Sequence, residues 1–108
     1  MSPSSNRIDG LLTGLRDAEH KLESASGGID SSTVTDIREL LGRVETSTPG
    51  GAPLHAQLDN VRKWLDALDR PDDHARFGGA GHLRDYVITQ IRLTLGALED
   101  YRREMGTL

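Results

Sequence analysis

The chain has 108 residues, no cysteine, and a formal charge of −4 from 17 acids against 13 bases. That length fits one domain with a modest core, and the lack of thiols excludes disulfides, zinc–thiolate sites, Fe–S clusters and cysteine nucleophiles. The bases are scattered among acids and form no stripe, which argues against nucleic acid. Eleven of the bases are Arg and two are Lys, the usage of a GC-rich bacterial genome.

In chain order, "MSPSSNRIDG" lacks a basic n-region and an apolar h-region, so no signal peptide is expected. No apolar run approaches the roughly 20 residues of a membrane span, and a cytoplasmic protein without membrane contact is the expectation. The first helix is predicted over about 6–25, with Asn6 as N-cap and a stripe of Ile8, Leu11, Leu12, Leu15, Ala18, Leu22 and Ala25. "SGG" at 26–28 is expected to stop it. A second helix over 32–46 carries Val34, Ile37, Leu41 and Val44, with Ser31, Ser32 or Thr33 as cap and Asp36 in the first turn.

"TSTPGGAP" at 46–53 is the strongest break, and Pro53 suits the first position of a third helix over 53–70. That helix repeats Leu54, Leu58, Val61, Leu65 and Leu68, with Trp64 alongside, and "DRPDD" ends it because Pro71 cannot continue a helix. A flexible Gly-rich link over 76–81 is then followed by a last helix over 81–105. Its main face is Leu83, Val87, Ile91, Leu95, Leu98, Tyr101 and Met105, broadened by Ile88 and Leu93. Acid–base pairs at i, i+4 (Asp17–Lys21, Glu39–Arg43, Asp59–Lys63, Asp66–Arg70, Glu99–Arg103) mark solvated helix faces. The fold class predicted is all-α: a four-helix antiparallel bundle or a broken long helical hairpin, as a single domain.

"RFGGAGHLRDY" at 76–86 poses the sharpest functional question, because glycines before a helix can cradle a phosphate or simply turn the chain. "RPDDHA" before them is no strand, His82-Leu83 stands where Lys-Ser/Thr is wanted, and Asp72 and Asp73 repel anions. A turn is the expectation. His74, His82, Asp73 and Asp85 do not make a metal set: no Glu lies three residues before any histidine, as the di-iron bundles require. The Ser and Thr residues gather at helix ends, where they cap and turn, and no Gly-x-Ser-x-Gly elbow exists. No catalytic residue, cofactor or metal ligand is expected.

Two family resemblances bear on function. "AEHKLESASGGIDSSTVTDIRELL" at 18–41 is similar to the phospho-accepting segment of histidine phosphotransfer domains, themselves four-helix bundles. That resemblance implies His20 as an alternative phospho-acceptor, with Glu23 and Ser24 standing where the family carries Lys and Gly. The length and the "TPGGAP" turn resemble small secreted helical hairpins of the WXG type, here without Trp-x-Gly, and with Gln90 and Met105 four residues after Tyr86 and Tyr101.

From the residues themselves the expectation is a non-catalytic helical interaction or assembly module, an adaptor or structural subunit of a larger bacterial or phage complex. Its partner is another protein or another copy of the chain. The narrow stripes resemble coiled-coil seams. The expected contact residues are Trp64, Ile88, Leu93 and Tyr101, with Trp64 read as either a core filler or a hot-spot anchor.

Overall fold

The structure, a computed structural model, describes residues 3–25 and 31–106. It is all-α, with helices α1 (Pro3–Ser24), α2 (Ser31–Ser47), α3 (Ala52–Leu68), the single turn α4 (Pro71–His74) and α5 (Ala80–Gly106). A 3₁₀ turn, Ala75–Phe77, joins α4 to the glycines before α5. The molecule measures 47 × 23 × 17 Å, and its long axis is the length of α5, since 27 residues rise about 40 Å. "SGG" at 26–28 lies outside the described residues.

Helix α5 packs against α1 and α3, and α2 packs against the same two helices from the other side. Contacts between neighbours descend in one helix as they rise in the other. Asp9 meets Arg102 and Arg16 meets Glu99 between α1 and α5; Glu45 meets Arg62 and Arg38 meets Asp66 between α2 and α3. Each of these pairs is antiparallel, as short connections require.

The predicted stripes form the core. Ile8, Leu11, Leu12, Leu15, Ala18 and Leu22 of α1, the four stripe residues of α2, and all five of α3 are buried. On α5 the outcome is broader than the stripe. Leu83, Val87, Ile91 and Leu98 are fully buried, Leu95 and Tyr101 pack partly against them, and Met105 is exposed. Ile88 and Thr94, on either flank, are buried as well. A helix touching two neighbours must bury an arc wider than one a/d seam, and the Thr94 hydroxyl is accommodated by donating to Gln90 O at 2.8 Å.

Several helix ends differ from expectation. α1 starts at Pro3, so Asn6 lies inside its first turns and is not the N-cap. Asp36 is the sixth residue of α2, beyond the first turn. Pro53 is the second residue of α3, which begins at Ala52 after Gly51. Pro71 opens α4 instead of only closing α3: its fixed φ suits a first helical position, and Arg70 before it is extended, as the residue preceding proline prefers.

The α2–α3 corner is held by a buried hydroxyl. Thr48 Oγ1 donates its one proton to Val44 O at 2.7 Å, so at 3.1 Å from His55 Nε2 it must accept, which places the His55 proton on Nε2. The Thr48 carbonyl accepts from Gly51 N at 3.2 Å. Thr48→Val keeps the volume, deletes both hydroxyl bonds and strands the half-buried imidazole N–H. The expected loss is about 1–2 kcal/mol in urea unfolding, and His55→Ala in the Thr48→Val background should cost less than in the parent.

Candidate functional site

The surface is organised by how each helix seam is closed. Between α1 and α5, arginines cross to carboxylates: Arg16 to Glu99 at 2.9 Å, Arg92 to both Glu19 and Glu23, and Arg102 to Asp9. Between α2 and α3, Arg38 reaches Asp66 at 2.6 Å and Asp69 at 3.7 Å, while Arg62 reaches Glu45 at 3.3 Å and Asp59 at 3.0 Å. Asp59, Asp66 and Glu99, expected to pair within their own helices at i, i+4, thus serve other arginines, two of them on neighbouring helices. Burial opposes the Arg62 charge, and the hydrogen bonds to Glu45 and Asp59 outweigh it, so its pKa is raised. Hydrogen bonds to Glu19 and then Glu23 raise that of Arg92. A raised arginine pKa adds stability that is complete below the ordinary arginine range and is lost only as strong alkali deprotonates the folded form. Neither guanidinium therefore switches the bundle near neutrality.

Among the described residues the α3–α5 seam is closed differently, without charge. From one end, Tyr101 donates to Pro49 O at 3.0 Å and its ring lies on Gly51, where a Cβ would come within 3.3 Å of it. In the middle Gln57 Nε2 donates to Gln90 Oε1 at 2.7 Å. At the other end Trp64 and Tyr86 stack with centroids 4.9 Å apart and planes at 21°. Outward of this seam α3 exposes Pro53, Ala56 and Asn60, and α5 exposes Tyr86, Thr89, Leu93 and Gly96. Tyr86 is 46% and Leu93 54% exposed. From Pro53 to Asn60 and from Tyr86 to Ala97 the acids and bases are His55, bonded to Thr48, Asp59, held by Arg62, and Arg92, which turns to α1. The face between them is uncharged.

Charge returns at both ends of this face. Beyond Trp64, a hollow of about 430 Å³ on α3 is lined by Arg62, Lys63, Arg70 and Arg76 together with Asp59 and Asp66. Both carboxylates and Arg62 are engaged in the α2–α3 pairs, whereas Lys63, over the Trp64 ring at 6.0 Å, and Arg70 and Arg76 hold no carboxylate among the described residues. At the far end of α5, Asp100 and Glu104 continue the line of Tyr86, Leu93 and Ala97 at helical spacing. The α1–α2 seam, in contrast, is a shallow groove of about 300 Å³ where Leu40 lies over Gly14, edged by charges of both signs such as Asp17, Lys21 and Arg43.

The predicted contact residues are divided by this geometry. Trp64 and Tyr101 lie in the α3–α5 seam, partly buried against the core, and Leu93 stands on its open face. Ile88 is a correction: it is 6% exposed and fills the interior, because its side of α5 turns toward the buried arc. Tyr86 belongs to this open face, and the stripe pattern does not single it out. Its signal is the segment "YVITQIRLTLGAL", thirteen residues of exposed and buried helix with one charge.

The glycine corner is a built turn. Gly78 and Gly79 have φ of +85° and +107°, and their N–H groups donate back to Ala75 O and His74 O at 3.4 and 2.7 Å. Those two donors are therefore committed to the chain itself and do not form a phosphate cradle. His74 caps the end of α3, its Nε2 donating to Leu68 O at 2.8 Å. His20 is exposed on α1; one turn away on either side, Arg16 is held by Glu99 and Glu23 by Arg92. Among the described residues no three His, Asp or Glu side chains group to hold a metal, and no helix is long and apolar enough to cross a membrane. Comparison with protein-family models, with curated proteins and with solved structures finds no match.

Proposed function

We propose that this chain is a non-catalytic helical interaction module, a cytoplasmic adaptor or structural subunit of a larger bacterial or phage assembly, and that it docks protein on the α3–α5 face. One observation carries the reading: among the described residues, this seam is closed by rings and amides where its neighbours are closed or edged by charge, and it leaves Tyr86 and Leu93 open to solvent. Protein interfaces deplete charge at their centres and enrich aromatic residues. A bundle that needed this face only for solubility would carry charge there, as its other seams do. Trp64, partly buried against the core and stacked on Tyr86 at one end of this face, is placed to act as its anchor, the alternative to a core filler.

The test is a photo-crosslinking amino acid at position 93 in producing cells, with position 13, exposed on α1 away from this face, as control. A discrete adduct from position 93 and none from position 13 is the expected result. Equal or absent crosslinking from both positions would sink the reading.

A further inference from the structure

We infer that the occupant of the α3–α5 face is a second copy of this chain, docked antiparallel about a two-fold axis level with Leu93; the inference rests on the reading of that face as a docking surface. Charge complementarity along α5 selects this occupant. Tyr86 and Asp100 lie seven residues to either side of Leu93, about 10.5 Å each way along the helix. Trp64 stacks on Tyr86, so Lys63 sits at the Tyr86 level, and Arg70 and Arg76 extend the basic end beyond it. The other end carries Asp100 and Glu104. Asp100 is bound to Arg103 of its own helix at 3.7 Å, an exposed pair worth little.

A two-fold axis lying in the face, perpendicular to α5 at Leu93, reverses the second copy. It lays Leu93 on Leu93 and the uncharged strips on each other. It also brings Asp100 and Glu104 of each copy to the level of Lys63 and Trp64 of the other. The same patch then meets itself, as a closed two-fold contact requires, and the open ends of the strip are matched twice. A parallel arrangement would set basic end on basic end and acidic end on acidic end, which like-charge repulsion disfavours. The fit is self-complementary only in the reversed sense.

Sedimentation of the full chain across a concentration series tests this, read beside the position-93 crosslink. The expected result is a monomer–dimer equilibrium. Leu93→Asp should abolish it at an unchanged urea midpoint for the dilute protein. Because a two-fold contact presents every substitution twice, Asp100→Lys should weaken dimerisation at least about tenfold. Lys63→Glu added to Asp100→Lys should restore it to within about threefold of the parent. Charge reversal without rescue by the double variant overturns the antiparallel register. A monomer at every concentration, with a position-93 adduct to a different protein, overturns self-pairing and leaves the docking face standing. A monomer with no adduct overturns both.

Discussion

Ile91→Ala should lower the unfolding free energy by about 3 kcal/mol, whereas Leu93→Ala, two residues further on, should change that of the dilute monomer by less than about 0.5 kcal/mol. Ile91 is fully buried at the centre of the α5 arc, between the sides that meet α1 and α3, and Leu93 is 54% exposed on the opposite side of the helix. Removing three carbons from Ile91 forfeits their transfer energy and leaves a cavity that α1 and α3 cannot both close upon. The Leu93 side chain already stands in water and loses little. For a domain of this size, about 3 kcal/mol is a large share of a total of about 5–15 kcal/mol. Urea unfolding followed by circular dichroism, at concentrations below any dimerisation, gives both values. Equal costs would mean that α5 is rotated about its axis relative to this structure. The docking face would then be lost along with the core assignment.

The rotation of α5 is also where the sequence is least informative. On α1, α2 and α3 a single stripe names the buried side, because an apolar period of three and four residues leaves one choice of face. On α5 two apolar sets compete. Leu95, Tyr101 and Met105 continue the main stripe, yet Met105 runs out into solvent beyond its neighbours. Ile88 and Leu93 look equivalent in sequence as additions to that stripe, but one is core and the other surface. Only the second contact, with α1 through Arg92 and Arg102, decides between them. Charge pairing is legible in kind and not in partner: acids spaced four before a base predict solvated faces, and the arginines then reach across seams, which local spacing cannot show. The stacked Trp64 and Tyr86 are separated by a turn of α4, a 3₁₀ turn and two left-handed glycines, so their meeting is a property of the corner's geometry. The run from Tyr86 to Leu98, with Arg92 as its one charge, is readable, and it is the trace in the sequence of the open α3–α5 face.

At that corner, Gly78→Ala and Gly81→Ala should shift stability in opposite directions. Gly78 sits at φ +85°, where a Cβ costs about 1–2 kcal/mol and would come within 2.9 Å of His82 Cδ2. The imidazole of His82 is exposed and free to swing, so the clash adds little and the backbone strain dominates. The expected loss is about 2 kcal/mol. Gly79, at φ +107° with open space around its Cβ position, should lose a similar amount through strain alone. Gly81 has no positive φ and nothing within 4 Å of an added methyl, and it lies in the first turn of α5. Alanine there should stabilise by up to about 0.5–1 kcal/mol, since glycine is the weaker helix former and loses more freedom on folding. A flexible link predicts another pattern: all three alanines neutral or slightly stabilising, because they restrict only the unfolded chain. The signs of the three shifts in urea midpoint therefore separate a built corner from a loose one. A built corner fixes the level at which Trp64 meets Tyr86, and with it the distance between the basic end of the face and Leu93.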